Sequence, residues 1–119
     1  MTKHHESARE PEDLTRLFIE RARERDAEGV AALYEPDAVM AYPAGQVTVG
    51  REAIRAVFEK LFASPPPLME QEVLPTLRCG DLALTAARMG GKDARSQVAR
   101  RQPDGSWLRI LDRPSFLDQ

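Results

Sequence analysis

Apolar positions recur along this chain with two periods, and the change between them divides it. In the first half the period is helical. Ile54, Val57, Phe58, Leu61 and Phe62 fall at i, i+3, i+4, i+7 and i+8, so a helix opened by Gly50 is predicted to bury one face. Ser64 and three prolines, Pro65 to Pro67, end it. Upstream, Leu14, Leu17, Phe18 and Ala22 form a similar stripe opposite a charged face. Pro11 suits its first turn, and Glu12 and Asp13 carry the sign that a helix N-terminus favours. Asp26 can cap a short second helix containing Val30, Ala31, Leu33 and Tyr34, which Pro36 stops. After Pro67 the pattern is extended. Leu68–Arg78 reads as a long strand with a bulge or an edge at Pro75. Leu82–Met89, Ser96–Arg101 and Ser106–Asp112 read as three more, separated by turns at Cys79-Gly80-Asp81 and Gly90-Gly91-Lys92-Asp93. A further short strand, Ala38–Tyr42, ends at Pro43-Ala44-Gly45, and Gln46–Val49 is a strand stub. The order is helix, helix, strand, helix, then four antiparallel strands. It predicts an α+β domain with helices on one side of a curved sheet.

The last two strands fix the register. Gln102-Pro103-Asp104-Gly105 places proline, aspartate and glycine where a tight turn needs them. Simple alternation puts Leu108, Ile110 and Asp112 on one face of the final strand and Trp107, Arg109 and Leu111 on the other. Asp112 is then a carboxylate among aliphatic neighbours, and needs either water or a partner. A four-residue loop would set Gln97 opposite Ile110 and turn it inward with Ala99. A bulge at Gly105 would set Val98 there instead, inward with Ser96. Pro-Asp-Gly and the apolar Val98 favour the bulge; Asp112 shares a face with Leu108 and Ile110 in both.

Composition narrows the function. The chain has 119 residues, enough for one core. We read 11–119 as a single domain, and Met1 to Glu10, which is polar and lacks a core pattern, as a flexible arm. The formal net charge of −2 lacks the basic surplus of a nucleic-acid binder. No apolar run approaches the ~20 residues that span a membrane, and no apolar signal region opens the chain. Cys79 is the single cysteine, so no internal disulfide can form and a reducing cytoplasm is expected. The two histidines, His4 and His5, lie in the arm and are read as solvated. No metal site or cofactor is expected: further ligands on rigid structure are missing, and Gly90-Gly91 reads as a turn rather than a phosphate loop. Without a structured histidine, neither a thiol nucleophile at Cys79 nor a serine triad is supported.

Three stretches, taken in order, carry a resemblance: Asp26 to Val39 (DAEGVAALYEPDAV), Gly50 to Arg55 (GREAIR) and Arg100 to Trp107 (RRQPDGSW). Together they resemble the nuclear transport factor 2-like superfamily, in particular its SnoaL-like and ketosteroid-isomerase-like branch, over roughly Pro11 to Phe116. The resemblance implies a cystatin-like α+β barrel: a cone-shaped, curved, antiparallel or mixed sheet wrapped around a long N-terminal helix, with a pocket at the open end. It also implies a homodimer paired through the sheet. It does not imply one activity, because the branch includes isomerases, cyclases, dehydratases, epoxide hydrolases and plain binding modules. The steroid-isomerase pattern is not retained. Its tyrosine donor position holds Phe18, its aspartate base position before a proline holds Tyr42, and its second acid falls on Gln97.

Two residues remain as an acid–base pair, Asp112 and Tyr42. A buried Asp112 would have its pKa raised toward the working range, and Tyr42 could donate to a ligand oxygen. Phe18, Met40, Phe58, Gln97, Trp107 and Ile110 are the candidate pocket lining, although Phe18, Phe58 and Trp107 serve a core equally well. Three readings stay open: a binder of a small, largely hydrophobic molecule, an isomerase, cyclase or dehydratase using Asp112 and Tyr42, and an assembly module acting through its sheet. No nucleic acid or membrane partner is expected.

Overall fold

The structure, a computed structural model, describes residues 5–64, 71–90 and 92–117. Helix α1 spans Pro11–Arg23, α2 Ala27–Ala31 and α3 Arg51–Leu61. The strands are β1 Tyr34–Met40, β2 Thr48–Val49, β3 Gln71–Val73, β4 Leu77–Cys79, β5 Leu82–Met89, β6 Ala94–Arg101 and β7 Trp107–Arg113. They form one curved, unclosed sheet in the order β2-β1-β7-β6-β5-β3, with β4 also on β5. The β1–β7 pair is parallel and the others are antiparallel. This is the α+β architecture expected.

The helices begin where local chemistry allows. Asp13 Oδ2 accepts the Arg9 and Glu10 amides, each at 3.1 Å, at the start of α1. Asp26 Oδ1 accepts Gly29 N at 2.9 Å and caps α2. Leu14, Leu17, Ile54, Phe58 and Phe62 are buried against the inner face of the sheet, in one cluster with Val30, Leu33, Tyr34, Met40, Ala83, Ala99 and Trp107. Small residues on that face, Ala83, Ala87 and Ala99, keep the strands close to the helices.

Three expectations need correction. First, Tyr34 does not belong to the second helix. Arg109 N donates to Leu33 O at 2.8 Å, which starts parallel pairing directly after α2, and Tyr34 opens β1 opposite Arg109. Pro36, exposed and without an N–H, lies in the irregular part of β1 rather than ending a helix. Second, the strand read across Leu68–Arg78 is two short ones, β3 and β4, split at Pro75, and Leu74 N bonds Ala86 O at 2.9 Å between them. Leu68 to Glu70 lie outside the described residues.

The third concerns the hairpin. The turn itself is as read: Gly105 has φ +87°, its amide bonds Gln102 O at 2.9 Å, and Gln102 N bonds Ser106 O at 2.7 Å. Arg101 therefore faces Trp107 and Ala99 faces Arg109, but the next pair is Val98 with Leu111. Ile110 is a bulge with no opposite residue. Asp112 is thus carried to the side of Trp107 and Arg109, not that of Leu108 and Ile110. Gln97, facing Asp112, points inward with Ala99, and Val98 and Ser96 do not.

The arm is packed from His5 onward. Trp107 N bonds Ala8 O at 2.9 Å, and Ala8 is buried. His5 Nε2 lies 2.7 Å from Asp26 Oδ2, so this histidine is half-buried and paired rather than solvated. His4 lies outside the described residues. The buried Arg21 ties the arm to α2 through Gly29 O at 2.8 Å and through Glu6 O. No helix of the described residues is long and apolar enough to cross a membrane.

Candidate functional site

Three strands bring one polar chain to the inner face. Asp112 of β7 is 6% exposed. Its Oδ2 accepts the Tyr34 hydroxyl at 2.5 Å, and its Oδ1 accepts Gln97 Nε2 at 3.1 Å. Gln97 Oε1 in turn accepts the Thr85 hydroxyl at 2.9 Å. Thr85 and Gln97 are register partners, as are Gln97 and Asp112, so the sheet holds the chain in line. Both donors to Asp112 are neutral, and they satisfy the carboxylate without an opposite charge. Burial, and then the neighbouring Asp112 charge, push the Tyr34 phenol far above its ordinary value, while Arg109 acts the other way. Tyr34 keeps its proton at any physiological pH.

Two arginines flank this chain. Arg109, 3% exposed, places its guanidinium 5.2 Å from the Phe18 ring centre and 5.8 Å from that of Tyr34. Its Nε is buried without a hydrogen-bond partner. Arg95 follows Gln97 and Ala99 on the inner row of β6, and its Nε lies against Met89 Sδ. Burial pulls the Arg95 guanidinium below its usual value, offset in part by Asp112.

The other residues singled out from sequence fall in different places. Tyr42 is half-buried at the end of β1; its amide bonds Met40 O at 3.0 Å and its carbonyl accepts Thr48 Oγ1 at 2.6 Å. The hydroxyl paired with Asp112 is that of Tyr34, not Tyr42. Met40 is buried opposite Asp112 in the β1–β7 register. Phe18 meets Phe58 edge-on at 5.6 Å, and both face the interior beside Arg109. Trp107 is buried near the turn under Arg78 and Arg101, five positions before Asp112. Ile110, as the bulged residue, leaves the inner row.

A hollow of about 290 Å³ opens beside Gln97 and Asp112 on the other side of these strands. It is lined by Val39, Ala41, Val47, Ser96, Val98 and Leu111 of the outer face, with Gln97, Asp112 and Arg113. The expected inner pocket is therefore not the cavity found here. Tyr34, Thr85, Arg95 and Arg109 were missed as a group. Alternation of Tyr34, Ala38 and Met40 around Pro36 was the available signal for the first of them.

A helix pair packed on a curved sheet whose first strand runs parallel to its last defines a nuclear transport factor 2-like cone. Residues 15–113 match the SnoaL-like domain family, and the chain belongs to it. Solved structures agree. A ketosteroid isomerase-like protein from Erwinia carotovora atroseptica is 19% identical, with 86% of this chain and 89% of that one covered and a TM-score of 0.73. A protein from Thiobacillus denitrificans, described as a candidate calcium/calmodulin-dependent protein kinase type II association domain, is 18% identical over 93% and 96% of the two chains, with a TM-score of 0.75. A nuclear transport factor 2-like protein of unknown function from Pseudomonas putida is 25% identical over 86% and 80%, with a TM-score of 0.68. No curated protein sequence matches the chain.

Proposed function

We propose that this SnoaL-like domain holds a small, largely hydrophobic molecule on the inner side of its sheet, against Asp112. The observation that supports this reading is the buried carboxylate itself. Asp112 is sequestered among Tyr34, Gln97 and Thr85, with Arg109 and Arg95 flanking them, in a mainly apolar core. Hydrophobic side chains of similar volume would serve stability as well or better, so the network points to a use beyond packing. Phe18, Phe58, Met40 and Tyr42 supply the apolar wall. Native mass spectrometry of the purified protein tests the reading. The expected result is a retained small molecule, released on denaturation and reduced in Tyr34→Phe. A protein that carries none, and takes up none of a panel of mono- and bicyclic compounds, would end it.

In an enzymatic use of the same site, Asp112 accepts a proton and Tyr34 donates a hydrogen bond to the oxygen on which charge develops, as isomerase, cyclase or dehydratase chemistry requires. Tyr34 takes the role first given to Tyr42. Asp112→Asn separates the two uses: binding survives and turnover is lost if Asp112 is the base.

The outer face favours assembly as well. Leu82, Leu84, Leu111, Val47 and Val49 are exposed there, beside the 290 Å³ hollow. This area suits a second copy of the chain, paired sheet to sheet. Light scattering on the wild type is expected to report a dimer, and the double variant Leu84→Lys, Leu111→Lys a monomer. A wild-type monomer at tens of micromolar would refute the pairing. A cytoplasmic setting fits the lone, exposed Cys79.

A further inference from the structure

The inner face of the sheet has an unbalanced charge. Arg95 and Arg109 both reach it, against one carboxylate, Asp112, among the described residues. Asp112 directs its oxygens to Tyr34 and Gln97, not to a guanidinium. Neither arginine forms an ion pair with a carboxylate among the described residues. Asp93, the acid at the rim, is taken up by the Ser115 hydroxyl and the amides of Ala94, Phe116 and Leu117. Arg109 is the more telling residue. It is almost wholly buried, held between the Phe18 and Tyr34 rings, and its Nε donates to nothing. A buried, charged donor without an acceptor is among the costliest groups a core can keep. Ring faces and the Tyr34 hydroxyl, which meets the guanidinium, stabilise its charge but leave that N–H unsatisfied. An anionic oxygen would supply both the acceptor and the missing charge, and guanidinium is the side chain best shaped to receive one.

We propose that the ligand of the cone is an organic anion, its apolar body against Phe18, Phe58 and Met40 and its carboxylate or enolate oxygen against Arg109, with Arg95 adding charge. This rests on the reading of the inner face as a binding site, and it names the class of molecule that site takes.

The test uses one shape with and without charge: 2-naphthoate and 2-naphthamide, titrated calorimetrically into the full chain and its variants. The wild type is expected to bind the carboxylate at least about tenfold more tightly than the amide. Arg109→Met should bring that ratio near one while amide binding persists, Arg95→Met should lower it in part, and Arg109→Lys should restore part of it. The free Arg109→Met protein should melt at or above the wild-type temperature, since an unmatched buried charge has been removed. Equal affinity for the two compounds in the wild type overturns the anion inference and leaves the binding site standing. Binding of neither overturns both. A preference that survives Arg109→Met and Arg95→Met alike, or an Arg109→Met chain that no longer folds, shows the guanidinium to be structural support and counts against the proposal.

Discussion

The two halves of the β6–β7 hairpin obey different registers. Near the turn, Arg101, Arg100 and Ala99 face Trp107, Leu108 and Arg109 in even succession. Beyond Ile110, Val98, Gln97 and Ser96 face Leu111, Asp112 and Arg113, one residue out of step. The near half is what a Pro-Asp-Gly turn dictates, and its inner positions hold Ala99, Trp107 and, last before the bulge, Arg109. The far half holds the polar chain. A single unpaired residue therefore separates the stretch that closes the core and ends at Arg109 from the stretch that carries Gln97 and Asp112. Bulges beside functional residues re-aim side chains in this way. The strand β6 has no such freedom: it pairs β5 evenly from Arg100 with Leu82 to Ala94 with Arg88.

That asymmetry gives the largest expected effect. Deleting Val98 shifts Gln97 and Arg95 to the outer face relative to Thr85 and breaks a ladder that is regular on its other side, so the chain should lose more than about 4 kcal/mol or fail to fold. Deleting Ile110 removes the residue that has no opposite. Arg109 and Asp112 stay inward, and the cost is local twist and one half-buried side chain, about 1–2 kcal/mol. Urea unfolding followed by circular dichroism compares the two. Equal damage from both deletions would show that Ile110 is not the hinge between the halves.

How much of this could be read from the sequence follows the same division. The stripes of α1 and α3 were legible because a helix writes its buried face into i, i+3, i+4 spacing. The turn was legible because proline, aspartate and glycine each have a backbone reason to stand there. A mid-strand bulge has no comparable local signature, so alternation carried straight through Ile110 put Asp112 with the wrong neighbours. Asp112 was still recognisable as an acid that needed a partner. Its partner, Tyr34, lies 78 positions away, and was hidden because Val30, Leu33 and Tyr34 continue an apolar run across the change from helix to strand. Arg109 was set on the outer face by the same miscounted alternation, and with it went the charge imbalance of the interior.

Within the far half, Tyr34→Phe removes one of the two donors to Asp112 and changes almost no volume. A buried carboxylate left short of a donor costs about 1–3 kcal/mol, which urea unfolding at neutral pH would resolve. The near half predicts a contrast. Ser106→Ala removes a hydroxyl that only serves the turn, at 2.6 Å from Asp104 Oδ1, and should cost about 1 kcal/mol or less. A Tyr34→Phe chain as stable as the wild type would mean that Asp112 is supported without β1, and the cross-strand chain would lose its claim to be one unit.

The smallest effect lies at the open end of the hairpin, where Asp93 does what the turn does at the other. It draws the segment after β7 back to the start of β6 through the Ser115 hydroxyl at 2.5 Å and the Ala94, Phe116 and Leu117 amides at 2.8, 2.8 and 3.1 Å. The Ser115 hydroxyl foremost, with these amides, holds its carboxyl down at about 2, against an ordinary 3.8. A carboxylate whose folded-state pKa is depressed adds stability that is complete above the ordinary value and is lost as pH falls through the depressed one. Asp93→Asn should therefore melt a little below the wild type at pH 7, with the gap narrowing from about pH 4 and closing near pH 2. Because the group is at the surface, the gap should be small. Thermal melts of the two proteins across that range decide the matter. A gap that stays constant down to pH 2 would mean that the clasp at the open end of the hairpin works by shape rather than by charge.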